Sequence, residues 1–233
     1  MAQLEKFIAD RFDALSATFP CDIDRNDARL KALISRSGDP RGKKILEVGC
    51  GKGRFARVFK ELGADIYGID ISAELLKEAK QIDKDKFLEA GVYEMPFKDR
   101  QFDIVYLVEV IEHIPDICKA IKEIARVMRK EGTLIVIDRN ILSLNNRRMF
   151  VPNVIIKKYH EMKNEWMYPK GSVFSEKWFM KDAVCKFLKK EFAKVDSTYI
   201  ISDSELNSKT AFLFKLFPVT RHFIAWTAKE PKK

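Results

Sequence analysis

Lys43-Lys-Ile-Leu-Glu-Val-Gly-Cys-Gly-Lys-Gly-Arg-Phe-Ala-Arg57 is the stretch on which the reading of this chain turns. A charged pair opens a short apolar run (Ile45, Leu46, Val48), and glycines follow at alternate positions, Gly49, Gly51 and Gly53. Phe55, Ala56 and Phe59 then recur at helical spacing. Strand, glycine turn, helix is how an open α/β sheet offers backbone N–H groups and a helix N-terminus to a ligand. Glycine is required there because a Cβ would block close approach, and because such turns use positive φ.

The spacing narrows the ligand. A dinucleotide fingerprint wants G-x-G-x-x-G, and counted from Gly49 its third glycine position holds Arg54. In the run Asp65-Ile-Tyr-Gly-Ile-Asp70-Ile-Ser72, Asp70 stands where a ribose-binding carboxylate belongs, with two oxygens for two hydroxyls. Glu47 lies inside the first strand, just before the turn. A carboxylate there would repel a pyrophosphate but suit an ammonium or sulfonium charge. The combination favours S-adenosylmethionine over a nicotinamide dinucleotide.

With these residues the chain resembles the class I S-adenosylmethionine-dependent methyltransferases, in particular the type 11 group. The resemblance is carried by E-V-G-C-G-K-G (Glu47 to Gly53), G-I-D-I-S (Gly68 to Ser72) and M-P-F-K-D (Met95 to Asp99). It continues through Q-F-D-I-V (Gln101 to Val105), E-V-I-E-H-I-P-D (Glu109 to Asp116) and R-V-M-R-K-E-G-T-L-I-V (Arg126 to Val136). The resemblance implies a Rossmann-like α/β fold: a seven-stranded, mostly parallel sheet with helices on both faces and an antiparallel final strand. It further implies S-adenosyl-L-methionine as cofactor and S-adenosyl-L-homocysteine as product.

The periodicity divides one domain of 233 residues into four parts. Residues 1–42 form an N-terminal helical cap, with apolar positions at helical spacing over 2–18 and 24–36. Residues 43–138 form the cofactor core, with strands near 44–48, 65–69, 86–89, 103–108 and 133–137 and helices near 54–62, 73–80 and 116–129. Ser72 is the expected cap of one helix and Gly132 the expected stop of another. Residues 139–174, rich in basic and aromatic side chains (Phe150, Tyr159, Trp166, Tyr168, Phe174), read as an insertion over the substrate pocket. Residues 175–233 hold a helix near 176–190, with Trp178, Phe179, Val184, Phe187 and Leu188 inward, and closing strands near 192–200 and 222–228.

Composition bounds the setting. Acidic and basic residues interrupt the first twenty positions, so no secretory signal pattern is expected, and no run is long and apolar enough to span a bilayer. Cys21, Cys50, Cys118 and Cys185 are scattered without metal spacing, which suits a cytoplasmic protein. The net charge of +9 is uneven: from Arg139 to Lys170 there are seven Arg or Lys against two acids. Such a surface attracts phosphate on small molecules, anionic lipid or nucleic acid.

The cofactor-binding residues expected are Glu47, Gly49, Cys50, Gly51, Gly53, Asp70, Ile71, Val92, Tyr93 and Val108. Cys50 reads as a small filler of the turn, not a nucleophile. By the resemblance, Val108 and Glu109 contact the methionine part through main chain, and Ala90 to Met95 line the adenine. Many relatives carry an Asp on the adenine amine where this chain has Gly91, so the main chain of Val92 or Tyr93 is the expected substitute. His113 is the candidate general base. Glu109, Glu112 and His113 also stand at the spacing with which some relatives hold a divalent cation, while His160 and His222 offer no evident further ligand.

For the acceptor, the leading expectation is a small molecule or glycolipid with a negative group held by Arg139, Arg147, Arg148 or Lys170 and stacked on Trp166 or Tyr168. Two other readings stand beside it. One is RNA methylation, with the basic insertion on phosphates and aromatics on bases; the other is non-catalytic binding of the cofactor. The apolar segment Phe212 to Trp226 is expected to bury between the last two strands, with peripheral membrane contact as the alternative.

Overall fold

The structure, a computed structural model, describes residues 2–147 and 151–232. The chain opens with α1 (Ala2–Ala14), a 3-10 turn (Ser16–Thr18) and α2 (Ala28–Ser37). The alternating core follows: β1 (Lys44–Val48), α3 (Arg54–Glu61), β2 (Asp65–Asp70), α4 (Ala73–Ala79), β3 (Phe87–Glu89), β4 (Phe102–Val108), α5 (Ile117–Val127) and β5 (Met128–Arg139). Beyond it lie α6 (Asn153–Met162), α7 (Lys181–Glu191), β6 (Phe192–Ile200), α8 (Asp203–Leu206), α9 (Ala211–Leu216) and β7 (Phe223–Pro231).

The strands form a seven-stranded sheet in the order β3-β2-β1-β4-β5-β7-β6. Strands β1 to β5 pair in parallel, and β7 runs antiparallel to both β5 and β6. Parallel strands covered on both faces read as near-continuous apolar runs, as Ile45, Leu46 and Val48 do. Because side chains alternate, Leu46, Val105 and Leu107 pack toward α5 and α7, while Ile45, Ile104 and Tyr106 pack toward α2 and α3. A smaller cluster joins Ile8 of α1 to Tyr168 and Phe174 of the insertion, which fixes α1 across the carboxyl ends of the strands.

Several boundaries differ from the sequence expectation. Gly132 does not stop a helix: α5 ends at Val127 and Gly132 lies within β5, against the Arg129 carbonyl. The helix expected from 176 begins at Lys181, and the preceding Phe179 pairs through its main chain with Arg139 and Ile141. Residues 139–174 contain α6, which the mixed composition concealed. The segment from Phe212 carries α9 and a 3-10 turn; Phe214 is buried, but Phe212, Leu216, Phe217 and Val219 are exposed, so burial between the strands is not what happens. Ser72 does cap α4, accepting a hydrogen bond from Leu75 N.

Candidate active site

A cavity of about 470 Å³ opens at the carboxyl ends of β1, β2 and β4, where an open α/β sheet places its ligand. Its floor is the glycine turn. Gly49, Gly51 and Gly53 have φ of 70°, 52° and 76°. A Cβ on Gly49 would come within 2.4 Å of Val110, and one on Gly53 within 2.5 Å of Ile82, so these two are fixed by packing as well as by φ. Gly53 faces α4 and not the cavity. A Cβ on Gly51 would meet nothing nearer than Leu75 Cδ1 at 3.8 Å, and Gly51 donates its N–H to Asp70 Oδ2 at 2.7 Å.

Asp70 ends β2, and its second oxygen accepts from Ser72 N at 2.9 Å. Burial pushes its carboxyl up to about 6, against the pull of the N–H groups of Ser72, Gly51 and Ile71. Each oxygen keeps a lone pair for a diol. Glu47 is buried beneath the turn, where Tyr106 donates to it at 3.1 Å, and burial pushes it up to about 8. A positive charge brought beside it favours its ionised form. The Cys50 side chain packs on Gly68, and burial pushes its thiol well up, which removes it as a nucleophile. Ile71, Val92, Tyr93 and Val108 all line the cavity.

The far end is a buried polar cluster. Glu109, at φ 57°, directs its carboxylate at Arg29, Arg54 and Arg139. Burial alone would raise it, but Arg139, Arg29 and Arg54 outweigh this and hold it at about 2. Arg139 also meets Glu176 at 3.0 Å and Glu112 at 3.5 Å. Its charge is therefore already neutralised, which departs from the expected hold on a negative group of the acceptor. Trp166 lines the cavity with its indole N–H donated to Glu176, while Tyr168 lies behind His113. Arg147 is exposed and off the cavity wall, and Arg148 and Phe150 lie outside the described residues.

His113 lines the cavity with Nδ1 3.2 Å from the Tyr168 hydroxyl and its ring edge on Phe12. Burial pulls its pKa down to about 4, so the imidazole is neutral at physiological pH and can accept a proton. Glu112 is fully buried beside it, with neither oxygen hydrogen-bonded among the described residues, and burial followed by Asp138 pushes it well up. Among the described residues, no three His, Cys, Asp or Glu side chains gather as a cation site, since Glu109 is turned to the arginines. Sequence reasoning missed Glu5, Ile8 and Phe12 of α1 as wall residues, together with Arg29, Arg54 and Glu176. The helices over 2–18 and 24–36 were expected to cap the cofactor side of the sheet, but the helical spacing of Ile8 and Phe12 did not single them out as wall residues.

A methyltransferase-domain family model matches residues 46–136, the stretch that builds this floor. Over this stretch the chain is similar to the class I S-adenosylmethionine-dependent methyltransferases. It is 27% identical over 194 residues to a ubiquinone biosynthesis O-methyltransferase of Aeromonas salmonicida, covering 80% of this chain and 78% of that one. It is 35% identical over 121 residues to an uncharacterized protein of Methanocaldococcus jannaschii, of which the match spans about half (52%). An S-adenosylmethionine-dependent methyltransferase from Mesorhizobium loti superposes with a TM-score of 0.63 over 88% of this chain and 96% of that one; at 16% identity the likeness is one of fold. S-Adenosylmethionine is the cofactor of that family, and the glycine turn, the Asp70 carboxylate and the buried Glu47 line this cavity with donors and acceptors suited to it.

Proposed function

We propose that this protein methylates a small-molecule acceptor, releasing S-adenosyl-L-homocysteine, with the acceptor's nucleophile placed between the glycine turn and His113. The observation that carries this reading is the continuity of the cavity, which joins Gly49, Gly51 and Asp70 to His113 and Trp166. When bound, the cofactor supplies an already activated methyl group. The chain's work is then to align the acceptor in line with that group and to exclude water. Alignment accounts for about 7–11 kcal/mol of barrier lowering in well-oriented systems.

His113 takes the acceptor's proton at an imidazole nitrogen, and Tyr168 and Phe12 hold the ring in place. Phe12, Phe19 and Pro20 wall the acceptor end with apolar surface. The name of the Aeromonas relative favours a small molecule. So does the roof made by α1, tied down by Arg11 to the Met167 carbonyl at 2.8 Å, which leaves less room for a polynucleotide. A cofactor-consumption screen over small hydroxyl and amine compounds, glycolipids and RNA tests the reading. Turnover of a small acceptor is expected. Consumption with RNA alone, or S-adenosylhomocysteine binding without turnover of any class, would overturn it.

A further inference from the structure

The place beside the third strand end, where sequence reasoning found no carboxylate, is filled from elsewhere in the chain. The glycine turn ends β1 and Asp70 ends β2, so a ribose held at Asp70 directs its base toward the end of β3. There the wall is apolar: Ile71, Ala90 and Val92 can sandwich a purine. The Tyr93 hydroxyl is turned to Asp116, whose N–H it accepts at 2.9 Å. A purine's exocyclic amine is a donor, and a buried donor left unmatched weakens binding.

Resting on the cofactor reading above, we propose that Glu5 of α1 is the carboxylate that recognises the adenine amine. Three observations converge on it. Glu5 lines the cavity. Its carboxylate accepts no hydrogen bond and forms no ion pair among the described residues, so both oxygens are available. A Cβ on Gly91 would come 2.8 Å from Glu5 Oε1, while the φ of Gly91 lies outside the left-handed region. The backbone therefore does not demand glycine at 91, and the Glu5 carboxylate occupies the space that a side chain there would enter.

The helix that delivers it is held in register. Asp13 accepts from the Ser72 hydroxyl at 2.5 Å and from Glu74 N at 3.2 Å, fastening one end of α1 to the start of α4. Glu5, Ile8 and Phe12 follow at helical spacing and all three face the cavity, with Glu5 at the base end and Phe12 at His113. One helix thereby closes both ends of the site.

The test is calorimetric and needs no acceptor. S-Adenosylhomocysteine and S-inosylhomocysteine differ at the position in question, where the amine donor is replaced by a carbonyl acceptor. The wild-type protein is expected to prefer the adenosyl ligand. Glu5→Ala should weaken adenosyl binding by about ten- to a hundred-fold, the range for a hydrogen bond to a charged group, and leave inosyl binding nearly unchanged. Glu5→Gln, which can offer either a donor or an acceptor, should bring the two ligands close to parity. Adding Gly91→Asp to Glu5→Ala should restore the preference, since the carboxylate then enters from the strand side into vacated space. Circular dichroism of Glu5→Ala separates lost recognition from lost fold. Single variants that keep both the wild-type affinity and the wild-type ratio would overturn the assignment while leaving the cofactor reading intact. A wild-type protein that takes up neither ligand would overturn both.

Discussion

His113 and Glu47 are buried titratable side chains on the same cavity, and burial acts on them in opposite senses because their charged forms have opposite sign. Burial keeps His113 neutral down to about pH 4, so a wild-type rate limited by this base should hold from neutral pH to about pH 5. His113→Ala should lower turnover by about 10²–10⁴-fold, the usual share of one general base, with unchanged affinity for S-adenosylhomocysteine. Single-turnover kinetics beside calorimetry checks this. Glu47 has the opposite linkage. Its folded-state value of about 8 lies above the ordinary 4.5, so the native state favours its proton. The stability this provides is complete below about pH 4.5 and is lost as pH rises through 8. Glu47→Gln, which cannot ionise, should therefore gain melting temperature on the wild type across that interval and hold a constant difference above it. A difference that shrinks toward pH 8 would contradict the assignment. The sequence showed Glu47 and Asp70 because their positions follow from strand ends. It could not show that Arg139 is neutralised, because its partners Glu109, Glu112 and Glu176 meet it only through tertiary folding.

At the scale of elements, the β-turn-α unit was legible because each part carries a local signal: an apolar run, three glycines, and an amphipathic helix. The glycine signal has a direct test. Gly53 starts α3 at φ 76°, and a side chain there meets Ile82 and Ala79. Gly53→Ala should cost about 1–3 kcal/mol of stability, in the range for a residue held in an unfavourable backbone conformation, as read by urea denaturation. The insertion was less legible. Its helix α6 buries only Asn153 and Lys157, so no apolar stripe announces it. The start of α7 was misplaced for a related reason. Trp178 and Phe179 extend the apolar periodicity, but Phe179 is bonded through its backbone beside β5 and cannot join a helix.

For the whole molecule, strand number, parallel core and antiparallel last strand followed from the order of motifs and from family resemblance. The N-terminal helices were expected to cap the cofactor side of the sheet, but which of their residues meet the site was not legible. A helix at the N-terminus can cap many places, and here tertiary contacts decide which: Asp13 with Ser72, Arg11 with the Met167 carbonyl, and Ile8 with Tyr168 and Phe174. The far side of the sheet is secured by β7, whose Trp226 is fully buried and donates its indole N–H to the Lys181 carbonyl at 2.7 Å. Trp226→Ala should remove about 3–5 kcal/mol, the range for truncating a large buried aromatic, and lower the melting temperature without altering the cofactor floor. That position of β7 has an effect on assembly. Because β7 lies between β5 and β6, the earlier-made β6 has no place on the sheet until the later strand arrives to wedge it there. A nascent chain halted before Phe223 would carry a bare β5 edge and an orphaned β6, open to stray pairing with other chains. During synthesis, the ligand-holding half can settle early while protection against aggregation waits for the last strand.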